Sequence, residues 1–165
     1  MAYTITETTL GVQPIAIDET TANQAVALGT IVQAADPDLG SGEFIYLKGV
    51  ASTAIGSWVT YNSSDNTTAL LAANAIGPVA IAMSACVASE YGWYQIGGKA
   101  VGKALTGFVD NANVYATATA GSIDDAIVAG DRVKLAKGAS AVDTPSAGLA
   151  YFEIQRPFMD DGLAA

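Results

Sequence analysis

Seven short segments of this chain repeat with a period of two, and Gly, Asn, Asp or Pro separates each from the next. They are Phe44-Ile45-Tyr46-Leu47, Trp58-Val59-Thr60-Tyr61, Val79-Ala80-Ile81-Ala82-Met83, Trp93-Tyr94-Gln95-Ile96, Val114-Tyr115-Ala116-Thr117-Ala118-Thr119, Arg132-Val133-Lys134-Leu135 and Tyr151-Phe152-Glu153-Ile154. A helix stacks residues three and four apart on one face, whereas a strand places alternate residues together. The pieces are rich in aromatic and β-branched side chains and too short for helices. They predict an all-β domain, a small β-barrel or sandwich of short, largely antiparallel strands. Ala is abundant and favours helices in isolation, but here it alternates with Thr, Val and Ile, and pattern outranks propensity.

The beginning of the chain differs. Up to Leu47 the acidic residues are Glu7, Asp18, Glu19, Asp36, Asp38 and Glu43, with no Lys or Arg among them. Residues 1–23 are Thr-rich, with Tyr3 as their aromatic anchor, and read as an extended N-terminal arm before a single domain over 24–165. Residues 21–28 fit either a helix stopped by Gly29 or a turn leading into a strand through Thr30-Ile31-Val32. We favour the strand after Gly29 and leave the preceding turn open. A second helical candidate, one or two turns long, covers residues 122–128, where Ser122 and Asp125 stand at capping-box spacing.

Composition limits the chemistry. The 165 residues suit one domain, and a chain of this size buries a core without metal or disulfide staples. There is no His, so imidazole bases, Ser/His/Asp triads and His-containing zinc sites are excluded. A formal net charge of −9 argues against nucleic acid as a partner, because phosphate binding needs Lys and Arg. Charged residues are 14% of the chain, against about 25% in ordinary soluble domains. A surface so poor in charge predicts association with other protein surfaces.

No membrane partner is expected. The uncharged run over 66–89 is broken by Asn74, Gly77, Pro78 and Ser84 and reads as two segments around a turn. The opening Met1-Ala2-Tyr3-Thr4-Ile5-Thr6-Glu7 is polar and acidic, unlike a secretory leader. Without export, the sequons at Asn62 and Asn66 read as turn residues. Cys86 lies in an apolar context with no nearby cation to hold a thiolate, which fits a buried thiol and a reducing compartment.

Several constellations imitate sites. Gly97-Gly98-Lys99-Ala100-Val101-Gly102-Lys103-Ala104 has phosphate-loop spacing, but Ala104 replaces the metal-binding hydroxyl and strand-like alternation surrounds it, so it reads as a structural hairpin. Asp36-Pro37-Asp38-Leu39-Gly40 departs from EF-hand spacing and suits a solvated turn. Asp124, Asp125 and Asp131 lack an accompanying nucleophile or cation and read as loop charges. Trp58, Trp93, Tyr94 and Tyr61 alternate with small residues and read as core anchors before a sugar platform. No catalytic group, metal site or cofactor is expected. In Arg132-Val133-Lys134-Leu135 a strand would set the cations on one face and Val133 with Leu135 on the other. Such a face suits solvent, an acidic partner, or the acidic arm of a neighbouring subunit.

Four runs carry a family resemblance: Gly42-Glu43-Phe44-Ile45-Tyr46-Leu47-Lys48-Gly49-Val50, Gly56-Ser57-Trp58-Val59-Thr60-Tyr61, Gly77-Pro78-Val79-Ala80-Ile81-Ala82-Met83 and Tyr91-Gly92-Trp93-Tyr94-Gln95-Ile96. With Gly121-Ser122-Ile123-Asp124-Asp125-Ala126 and Ala129-Gly130-Asp131-Arg132-Val133, they make residues 24–158 similar to virion structural proteins of tailed bacteriophages. The chain most resembles capsid decoration, or cement, proteins. The resemblance implies a structural, non-enzymatic protein, made in the bacterial host cytoplasm and bound to the outer surface of an icosahedral capsid. There it would cement neighbouring major capsid subunits, with the major capsid protein and a homotrimer of itself as partners. Interface residues expected on this reading are Tyr3, Ile5, Leu10, Val12 and Ile15 in the arm, with Arg132 and Lys134 on the cationic strand. The alternatives are a receptor- or glycan-binding module associated with a virion fibre, and a hydrolase built on a carboxylate pair near Asp124 or Asp36.

Overall fold

The computed structural model describes residues 3–7 and 15–160. Among them are twelve strands and no helix: β1 (Thr4–Glu7), β2 (Thr20–Thr21), β3 (Ile31–Asp36), β4 (Gly40–Lys48), β5 (Trp58–Tyr61), β6 (Thr68–Leu70), β7 (Val79–Ala82), β8 (Tyr91–Lys103), β9 (Asn113–Ala116), β10 (Ile123–Asp124), β11 (Arg132–Gly138) and β12 (Leu149–Met159). Every ladder is antiparallel, and the seven alternating segments all contribute strands. The expected strand after Gly29 is β3, and the residues before it form turns.

The hub is β8. One edge of its first half pairs with β4, from Lys48↔Tyr91 to Gly42↔Gly98, while β2, β7 and β12 follow one another along the opposite edge. The main path runs β1-β3-β4-β8-β12-β11-β9-β10, with β5 and β6 attached through β7. Its ends do not meet, so the all-β antiparallel expectation holds while the sheet itself remains open.

Two local expectations change. Residues 122–128 form no helix: Ile123 is buried and pairs with Ala116 as part of β10, so tertiary burial outweighs the capping spacing. Gly97-Gly98 is no hairpin turn either but lies inside β8, opposite β4 on one edge and β12 on the other. Register slips nearby between Glu43 and Phe44, where Ile96 is the extra residue of β8; Gly98, paired with Gly42, takes a φ of 94° and a Cβ there would meet the Ser41 carbonyl oxygen, which explains the glycine.

Three apolar clusters hold the layers together. The largest gathers Trp58, Phe108, Phe152, Ile123, Val133 and Met159 from β5, β8 to β12 and their connections. A second places Ile17 and Val26 against Phe44, Tyr46 and Trp93, with Tyr3, Ile5 and Ile15 packed on its margin. The third lies between β4, β5, β7 and β8, around Leu47, Val59 and Tyr94. Trp58, Trp93, Tyr94 and Phe152 are fully buried; side chains of this size remove roughly 150–250 Å² each from water and dominate the hydrophobic term.

Candidate binding surface

A register slip between β11 and β12 borders the candidate groove. On β11 the ladder to β12 shifts between Lys134 and Ala136, with Leu135 between them at a φ of 59°. Across from it Arg156 of β12 has a φ of 48°. L-residues enter this left-handed region at a cost of about 1–2 kcal/mol, so two of them facing each other across one slip mark a shape held by its surroundings. The expected alternation is overturned here: Val133 is buried, but the slip turns Leu135 outward to 62% exposure.

The groove measures about 790 Å³ and runs between Ser41, Gly42 and Glu43 of β4, Gly97 and Gly98 of β8, and Leu135, Ile154 and Arg156. A neighbouring depression of about 380 Å³ holds Arg132, Lys137 and Glu153 and shares Leu135 and Ile154, so Leu135 forms the ridge between the two. Arg156 Nε donates to Glu43 Oε2 at 3.1 Å, and this carboxylate raises the guanidinium pKa further. Lys134 Nζ lies 2.7 Å from Asp160 Oδ1, and Arg132 Nη2 donates to Asn113 Oδ1 at 3.1 Å. Both cations expected at an interface are exposed; Arg132 lines the smaller depression, and Lys134 lines neither.

The arm residues are placed separately. Tyr3 sets its ring edge-on to Phe44, with centroids 4.8 Å apart, and its hydroxyl donates to the Lys99 carbonyl at 3.2 Å. Burial pushes the Tyr3 hydroxyl up to about 12. Ile5 lies in β1 opposite Ala34, and Ile15 packs beside the second cluster. Leu10 and Val12 lie outside the described residues. Arm and cationic strand thus occupy different places: β1 ends the main path, and β11 lies on the far side of β8 and β12.

The imitation sites resolve into structure. Asp36 Oδ1 accepts the amides of Asp38 and Leu39 at 2.8 and 3.0 Å, an Asx turn that joins β3 to β4. Asp131 is buried and accepts the Asn74 amide, Asp124 accepts the Asp125 amide, and Asp125 Oδ2 accepts the Val109 amide at 3.1 Å. Among the described residues no three His, Cys, Asp or Glu are grouped to hold a metal ion. Burial raises the Cys86 thiol pKa, which opposes thiolate formation. The tryptophans are wholly buried and present no stacking platform. No helix of the described residues is long and apolar enough to cross a membrane.

Sequence reasoning missed Leu135, Arg156 and the exposed loop residues Val109, Ile127 and Val128. The bulges depend on pairing between distant strands, which leaves no local mark at Leu135 or Arg156. For the loop, a signal existed: Ile127-Val128 stands between acidic residues and Ala129-Gly130, where an apolar pair has no period to join. No family model matches the chain, and no curated protein or solved structure matches it.

Proposed function

We propose that the chain is a structural protein of a tailed-phage virion, which binds the outer surface of the capsid and ties neighbouring major capsid subunits together. It acts by contact and not by turnover. The observation that carries this reading is the position of β1. Among the described ladders it pairs β3 along one edge only, at the end of the main path. Such an edge accepts a strand from another protein through backbone hydrogen bonds. Thr4 and Thr6 are exposed, while Tyr3 and Ile5 fix the strand to its own sheet.

The charge-poor surface supports the same reading, and so does the sequence resemblance. Each copy needs only modest affinity, because many copies on one shell act together. Net negative charge suits a position on the solvent side of a shell, away from packaged DNA. Barrel closure belongs to this reading too: the bridge Ala104↔Ile123 brings β10 back toward the end of β8, consistent with a barrel-like second half.

The test is co-sedimentation with DNA-free expanded heads of the phage that encodes the chain. Full-length protein should pellet with the heads, and a variant lacking residues 2–7 should stay in the supernatant. The deletion removes Tyr3 and Ile5 from the margin of the second cluster but leaves Ile17, which is 1% exposed in the core, and circular dichroism with urea titration verifies that the variant is folded. Absence of the chain from purified virions by mass spectrometry would end the proposal.

A further inference from the structure

We propose that the groove beside Leu135 binds an uncharged saccharide, held on a row of polar side chains that crosses four strands. The inference stands on this surface alone and does not depend on the capsid reading.

The row is fixed by register. Gln33 of β3 pairs with Glu43 of β4, Glu43 with Gly97 of β8, and Gly97 with Gln155 of β12. Residues directly opposite each other in antiparallel strands point to one face of the sheet, so both amides and the carboxylate share a face. Gly97 supplies the gap between them. A Cβ there would lie 3.3 Å from Glu43 Cβ, so the glycine lets the glutamate side chain lie across the strand.

The far wall departs from strand geometry. Alternation sets Gln155 outward and Ile154 and Pro157 inward, yet Arg156 is exposed as well. Its φ of 48° breaks the phase at the point where its Nε meets the Glu43 carboxylate at 3.1 Å. Leu135, with a φ of 59° and 62% exposed, lines the same groove. Strained backbone of this kind gathers at surfaces shaped to hold a ligand.

The lining selects the ligand class. Its charged side chains are Glu43 and Arg156, and they neutralise each other. An anion would have to displace the carboxylate and a cation the guanidinium, so the groove favours a ligand without charge. Hydrogen-bonding capacity remains, because the pair engages Nε and Nη2 and leaves Nη1 and carboxylate lone pairs free. The Gln33 and Gln155 side chains are exposed and make no hydrogen bond among the described residues. Each amide sets a donor beside an acceptor, which matches adjacent sugar hydroxyls. Leu135 offers an apolar surface to the C–H face of a sugar ring. A peptide strand fits less well, since both edges of β8 at the floor are already laddered, to β4 and β12. The volume of about 790 Å³ falls within the roughly 300–1,000 Å³ of small-ligand sites.

Isothermal titration of the full chain with maltotriose, cellotriose, mannotriose and N-acetylchitotriose tests this, with sialyllactose as the anionic comparison. At least one uncharged trisaccharide should bind one-to-one, more tightly than sialyllactose, and its affinity should change less than about twofold between 50 and 500 mM salt. Gln33→Ala and Gln155→Ala should each weaken it by about fivefold or more; both positions are exposed, and circular dichroism and urea titration verify folding. Ile55→Ser, at an exposed position that lines neither depression, should bind like wild type. No binding of any uncharged trisaccharide at 10 mM would overturn the proposal. So would a preference for sialyllactose, folded Gln33 and Gln155 variants that bind like wild type, or an equal loss in Ile55→Ser.

Discussion

Arg156 and Glu43 are 113 residues apart in the chain and joined at 3.1 Å, an ion pair that spans the groove between β12 and β4. These strands do not pair with each other; each is laddered to β8. The pair therefore closes a triangle whose other two sides are backbone hydrogen bonds.

Its contribution should be small. Exposed ion pairs contribute about 0–1 kcal/mol, and Arg156 sits at a φ of 48°. Arg156→Ala should lower stability in urea only slightly, and the loss should shrink in high salt. Arg156→Gly removes the same pair but accepts the left-handed backbone, so it should be at least as stable as Arg156→Ala. The reverse order would show that the left-handed backbone at this position costs too little to favour glycine.

Gly102 is required by close packing. A Cβ there would lie 2.6 Å from Trp58 Nε1 and 3.2 Å from Phe152 Cε2, beneath two rings that meet edge-on with centroids 4.9 Å apart. Gly102→Ala should cost about 1–3 kcal/mol, the usual range for overpacking. Combining it with Trp58→Phe removes the obstructing indole nitrogen, and a double-mutant cycle should show that the two costs do not add. Additive losses would place the clash elsewhere.

The strands were legible in the sequence because each is decided locally, by alternation between turn residues. Trp58, Trp93 and Phe152 announce their burial by size and register. Pairing was less legible. A Gly-Gly pair suits a hairpin or an extended strand equally well, and Gly97-Gly98 stays inside β8 because β4 and β12 flank it on both edges. The same holds for the groove. Leu135 has the spacing of a core residue, and a register slip against β12 turns it outward. Ser122 and Asp125 have helix-start spacing, but Ile123 is drawn into the core and takes the segment with it. In each case long-range packing overrides a short-range signal.

Tyr3 predicts an alkaline weakness of the arm. Burial raises its pKa from 10.0 to about 12, so the folded state holds the phenol proton more tightly than the unfolded chain. A group raised in this way contributes its stability below its unfolded pKa and loses it as pH climbs toward the folded value. Stability should fall between pH 10 and 12, and the fall should be smaller in Tyr3→Phe, as measured by urea titration at pH 9 and pH 11. Tyr94, also raised by burial, should ionise late as well in a titration followed by ultraviolet absorbance. An equal loss of stability in Tyr3→Phe would assign the weakness to other groups.

Cys86 should be inert in the native state. It is 0% exposed, and burial raises its pKa, so both access and thiolate fraction are low. A thiol-reactive chromophore at neutral pH should modify it only as fast as the surrounding structure opens, and rapidly in denaturant. Immediate stoichiometric labelling of the folded protein would contradict the placement of Cys86 in the cluster with Leu47 and Tyr94.

Leu135 carries the backbone strain of the β11–β12 slip. Its φ of 59° costs about 1–2 kcal/mol for an L-residue, and at 62% exposure its side chain recovers little by burial within its own chain. Leu135→Gly removes the backbone strain but adds about 0.5–1 kcal/mol of unfolded-state entropy to overcome. The net result should be a gain of roughly 0.5–1 kcal/mol in urea titration under monomeric conditions. A loss of stability in Leu135→Gly would show that the leucine side chain contributes more than its left-handed backbone costs.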